Sequence, residues 1–154
     1  MLDKLWEDIA NSELAFQIGA TWWFPLLESI HVLCIVVLMA AIISADLRIL
    51  GVTGRDYKIA NFVPELTRWA WVMVIPAVLT GMALFITRPA AYAANPAFQI
   101  KMGLLVFSAI NVFLLYRKWQ PDKPASTAVQ FSAALSLCAW VGIIFAGRWV
   151  GHIN

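Results

Sequence analysis

FPLLESIHVLCIVVLMAAIISADLRIL, from Phe24 to Leu50, decides the fold. Between Val32 and Ala45 it carries no charge, while Glu28 and His31 stand towards one end and Asp46 and Arg48 at the other. At ~1.5 Å per residue a helix of this length exceeds the ~30 Å hydrocarbon core of a bilayer, so its two ends approach the two interfaces. Glu28 and His31 then lie just inside one membrane face. Ionisable groups at that depth are expensive and mark the place to look for function.

The rest of the chain agrees. Of its 154 residues 62% are hydrophobic and 13% charged, against about 25% charged in an ordinary soluble domain, so most of its surface has to meet lipid. The net charge of +2 is read through its distribution, and nucleic acid is not an expected partner. The N-terminal MLDKLWEDIANSE holds four acids and one base, with no short apolar run before a small-residue cleavage site, so no removable signal peptide is expected.

Leu2, Leu5, Trp6 and Ile9 recur at helical spacing, which predicts a short amphipathic helix over residues 2–10 lying on the membrane surface. Trp22, Trp23 and Phe24 form an aromatic belt before the first span, 24–50. After a Gly- and Pro-containing connection, a second span is expected over about 66–87, with Pro64 in its first turn and a kink at Pro76. Residues 88–97 read as a turn-rich break, and a third span follows over about 98–116 with Lys101 near its start and Asn111 deeper. Thr127 and Gln130 have capping-box spacing at the head of a fourth span, about 127–150, which is rich in Ser, Ala and Gly. Small side chains let helices approach closely in lipid, so this span is expected at the centre of an all-α, antiparallel four-helix membrane bundle forming one domain.

Seven basic residues (Arg48, Arg55, Lys58, Arg68, Arg117, Lys118 and Lys123) flank the first and third connections, and four (Lys4, Arg88, Lys101 and Arg148) lie at the opposite face. The positive-inside rule puts both termini outside, in the periplasm if the source is a Gram-negative bacterium. Glu28, His31, Arg88, Lys101, Arg148 and His152 gather at that outer face.

His31 is the one histidine inside a span, and His152 closes the fourth span at the same face. Imidazole ligates haem, and facing helices of a bundle are a place to hold one, so His31 and His152 form one candidate ligand pair. Met82 and Met102 are alternative second ligands, and Arg88, Lys101 and Arg148 are candidate partners for propionates. The competing reading makes His31 a structural group: Glu28, His31, Lys101 and Arg148 then form a buried polar network without a cofactor. Glu28-Ser-Ile-His31 has the Glu-x-x-His spacing of di-iron bundles, but those need two such motifs, so a di-metal site is not expected. Cys34 and Cys138, expected at a similar depth, read either as packing residues or as soft ligands for copper(I). Asp46 and Arg48 read as interfacial charges, and Asn111 as an interhelical hydrogen-bonding group.

FPLLESIHVL, SADLRILG, NPAFQIKMGLLVFSAIN and AGRWVGHI together resemble an uncharacterised family of small bacterial inner-membrane proteins with four spans. The resemblance covers nearly the whole chain and implies topology and a bacterial inner-membrane location. It implies no activity. The likeness to four-helix b-type cytochromes is architectural. The sequence therefore points to two functions: a membrane redox subunit binding one b-type haem or a quinone and serving a periplasmic redox protein, or a non-redox structural or transport component. Self-association through lipid-like faces is compatible with both.

Overall fold

The computed structural model describes residues 2–53, 59–118 and 125–152. Arg55, Lys58 and Lys123, and the side chains of Arg117 and Lys118, fall outside the described part. The described residues form seven helices: α1 Leu2–Ala10, α2 Glu13–Ala20, α3 Trp23–Ile49, α4 Ile59–Phe85, α5 Pro89–Ala94, α6 Pro96–Lys118 and α7 Thr127–Trp149. Four of them, α3, α4, α6 and α7, are long and apolar enough to cross a membrane. The chain is a multi-pass membrane protein in contact with the bilayer.

A repeat averaging 3.5 residues holds the four long helices together. On α7 the buried positions are Val129, Ala133, Ser136, Trp140 and Ile143, and on α3 Cys34, Leu38, Ala41, Ala45 and Arg48, each advancing by alternate steps of four and three. Such a seam faces a neighbour only when helices cross at a shallow angle, as in antiparallel bundles. The helices pair as two hairpins, α3 with α4 and α6 with α7, and α3 against α7 joins them. Ala45, Ile49, Val63, Leu115, Val129 and Ala133 close the junction at one end, and Leu38, Met39, Ala41, Ala70, Trp140 and Ile143 fill its middle. Outward residues such as Leu33, Ile75, Phe113, Phe131 and Phe145 are exposed and apolar, as a lipid-facing surface requires.

Local chemistry sets the helix ends. Gly51, at φ 75°, stops α3: its N–H bonds to Arg48 O at 3.1 Å and that of Val52 to Leu47 O at 3.0 Å, the reversal that glycine adopts most readily. Asn95 starts α6, its Oδ1 accepting from the N–H groups of Ala97 and Phe98 at 2.9 and 3.2 Å. Its Nδ2 donates to Val150 O at 3.1 Å and ties that start to the end of α7. Phe85, Tyr92 and Phe98 stack at the same end of the bundle, with Trp6 of α1 set edge-on to Phe85.

Three local expectations change. α4 begins at Ile59, so Pro64 lies inside it rather than in its first turn, and the helix is continuous through both Pro64 and Pro76. Residues 88–97 contain a short helix, α5, where a break was expected, and a further short helix, α2, forms over Glu13–Ala20, where no element was expected. The cap of α7 is Ser126, not Thr127: its hydroxyl accepts from Val129 N, so the Thr127–Gln130 capping box does not form. Ser126 is in the extended conformation that a cap needs, whereas Thr127 is already helical.

Candidate functional site

His31 stands two turns into α3 and faces α4. Its Nδ1 lies 2.9 Å from the carbonyl oxygen of Ala77 and 3.0 Å from the hydroxyl of Thr80. A carbonyl only accepts, and Thr80 directs its own proton to Pro76 O at 2.7 Å. Both partners of Nδ1 are therefore acceptors, so Nδ1 carries the hydrogen and neutral imidazole keeps its lone pair on Nε2. No described group hydrogen-bonds Nε2.

Gly81 makes this close seating possible. A Cβ there would stand 3.1 Å from His31 Cε1, tighter than most side-chain contacts. Ala77 and Gly81 form a small-x3-small pair that lets the ring lie against the α4 backbone. That pair, beginning at the residue after Pro76, is the sequence signal that would have located the imidazole's partners.

Lys101, in the first turns of α6, lies along Gly147 of α7, with Nζ 3.6 Å from where a Cβ would stand. Its charge and that of Glu28 both reach His31. The other candidate residues at this end of the bundle are exposed. Glu28 is exposed on α3, and Arg148 is exposed in the last turn of α7. Arg88 is exposed ahead of α5, and His152 is exposed in the turn after α7, its N–H bonded to Trp149 O. Met82 and Met102 are 62% and 45% exposed, with their side chains on the outside of the bundle. Among the described residues no three His, Cys, Asp or Glu side chains group as a metal site. Cys34 is buried and Cys138 exposed, and the pairing of Asp46 with Ser136 puts Cys138 near the far end of α3 from Cys34. The two thiols are not at one depth.

A cavity of about 410 Å³ opens beyond His31, towards the N-terminal helices, lined by Ala15, Phe16 and Gly19 of α2, Phe24 of α3, Arg88 at the start of α5 and Tyr92 within it. Phe24 precedes His31 by two turns, so the cavity and the imidazole are ~10 Å apart along α3.

The opposite half of the bundle holds a second polar group. Asn111 Nδ2 donates to Ser132 O at 2.9 Å and accepts the Ser132 hydroxyl at Oδ1 at 2.7 Å, a closed link between α6 and α7. One turn away, Asp46 of α3 lies beside Ser136 of α7 and is only 5% exposed. Asp46 is three residues from the end of α3, but Ser136 is nine residues, ~14 Å, into α7. The two hairpins are staggered, and Asp46 faces the middle of α7.

Comparison with known proteins adds one finding. A model of a family of unknown function matches residues 11–153. No curated protein and no solved structure matches the chain.

Proposed function

The chain belongs to that family, DUF6644, which has no assigned activity, and we propose that it is a membrane redox subunit whose His31 end binds a quinone headgroup. The observation that carries this reading is the Nδ1–H of His31, held by Ala77 O, which leaves Nε2 as a lone-pair acceptor inside the membrane span. A quinol hydroxyl is the matching donor. As two electrons pass to a periplasmic redox protein, Nε2 takes one of the two quinol protons and the second leaves to water at headgroup level. Lys101 offers a donor for the second oxygen or its developing charge.

The same Nδ1–H···O=C contact also orients imidazoles that ligate metals, and this favours b-type haem as a second reading, in which His31 Nε2 would be one of the groups holding the iron. His152, exposed in the turn after α7, would be the other ligand, with the also exposed Met82 and Met102 as alternatives. Arg88, Lys101 and Arg148 would meet the propionates. In either reading the termini are periplasmic in a bacterial inner membrane, and a cysteine placed at Tyr92 in a cysteine-free background reacts with an impermeant reagent from outside.

Quinone extraction and a visible spectrum of the purified protein, for the parent and His31→Ala, test this. Quinone bound to the parent and lost in His31→Ala supports the first reading. A Soret band lost in the same variant moves the assignment to haem. Neither in the parent, after expression with haem and quinone present, overturns the redox reading and leaves a structural or transport component.

A further inference from the structure

The Asp46 end carries polar chemistry that the His31 site does not use. Oδ2 of Asp46, the hydroxyl of Ser108 and the indole nitrogen of Trp140 are buried and have no hydrogen-bond partner among the described residues, and the buried hydroxyl of Ser136 has Asp46 alone beside it. The two serines are each 1% exposed and Trp140 is 6% exposed. Buried polar groups are ordinarily bonded, and each one left open costs on the order of 1–3 kcal/mol. Together on adjoining helices they leave hydrogen-bonding capacity unused inside the bundle.

The helix register brings them together. α6 and α7 run antiparallel, with Asn111 at Ser132, Leu104 at Gly142 and Lys101 at Gly147, which sets Ser108 opposite Ser136. Asp46 approaches Ser136 from α3, and Trp140 is one turn further along the same face of α7. Asn111 and Ser132 satisfy each other and take no part.

We infer that Asp46, with the hydroxyls of Ser108 and Ser136, forms a buried site for one univalent hard cation, a sodium ion or a proton. The donor atoms are oxygens, with no thiolate or thioether, which suits a hard ion. One carboxylate balances one positive charge, whereas a divalent ion would leave an uncompensated charge in a low-dielectric interior. Trp140 N–H cannot ligate a cation and serves as a donor to the carboxylate or to a bound water. Of the other charges nearby, Arg48 is buried on the same helix two residues further along, a spacing at which helical side chains do not face each other. Glu65 and Arg68 on α4 are exposed, α4 presenting Val63 and Leu66 to this junction. α7 carries no charged residue from Thr127 to Gly147, and the charges of α6 are Lys101 at its opposite end and Arg117 and Lys118, nine and ten residues beyond Ser108. The site is independent of the quinone proposal.

The test labels the parent protein in detergent with dicyclohexylcarbodiimide, which attacks protonated carboxyls in apolar surroundings, and maps the adduct by mass spectrometry. Labelling of Asp46 in choline chloride that falls several-fold in sodium chloride of equal ionic strength identifies sodium. Labelling indifferent to sodium but falling as pH rises identifies the proton. A rate at Asp46 that responds to neither, or no labelling of Asp46 in any condition, overturns the proposal. Ser136→Ala and Ser108→Ala keep the carboxylate and should move the sodium or pH midpoint several-fold. Parent-like midpoints in both would remove the serines and overturn the site as drawn.

Discussion

The two polar regions of the bundle solve opposite problems. At His31 the imidazole belongs to the α3–α4 hairpin, its Nδ1 is bonded twice, and its ring is seated against the backbone beside Gly81. At Asp46 the carboxyl is the contribution of one hairpin to a seam formed with the other, and its Oδ2 has no described partner. The first is a preorganised single group. The second is an assembly that depends on how two hairpins dock. This difference predicts that mutations at the α3–α7 seam damage the Asp46 region and global stability together, while mutations around His31 act locally.

The largest effect is expected from Ala133→Leu. Ala133 is wholly buried and touches the cluster of Ala45, Ile49, Val63 and Leu115. Three extra carbons have nowhere to go, and overpacking of this kind costs about 1–3 kcal/mol. Its neighbour Ala134 is exposed, and Ala134→Leu should stay within about 0.5 kcal/mol of the parent. Unfolding in detergent measures both. Equal stability of the two variants would mean that the hairpins do not meet along this seam.

The four spans and the role of Asn111 were legible in the sequence, because length, apolar runs and a polar amide inside a span report directly on membrane physics. His31 stood out for the same reason. Its partners did not, since a backbone carbonyl carries no side-chain signature and the Ala77–Gly81 pair reads as ordinary small-residue packing. Asp46 was placed at an interface because it ends its own span. Its burial comes from the stagger between hairpins, which no single helix encodes. The extra helices α2 and α5 are not legible because eight or six residues give too little periodicity to separate a helix from a loop or a turn.

Gly81→Ala sharpens the His31 side of the comparison. In a helix interior, replacing glycine by alanine ordinarily stabilises by about 0.5–1 kcal/mol. Gly103 faces open space, so Gly103→Ala should show that gain. At Gly81 the new methyl meets His31 Cε1 at 3.1 Å, and either the ring yields or its bonds to Ala77 and Thr80 lengthen. A weakened hydrogen bond costs about 0.5–1.5 kcal/mol, enough to cancel the gain. Nitrogen NMR of the imidazole should show the Nδ1–H tautomer in the parent and in Gly103→Ala, and a perturbed Nδ1 in Gly81→Ala. An unperturbed ring in Gly81→Ala would place His31 away from α4.

The smallest effect concerns the start of α7, the helix that presents Ser136 to Asp46. Ser126 has extended backbone angles, φ −65° and ψ 158°, and its Oγ accepts from Val129 N at 3.4 Å. That satisfies one of the first N–H groups of the helix, which otherwise lack partners. Ser126→Ala should therefore cost about 1 kcal/mol. Thr127 is the first helical residue, is exposed and caps nothing, so Thr127→Ala should change stability by no more than about 0.5 kcal/mol. Neither change reaches His31, whose environment should stay constant by NMR in both. The reverse order of stabilities would return the cap to Thr127 and start α7 one residue later, leaving Ser136 on the face that meets Asp46.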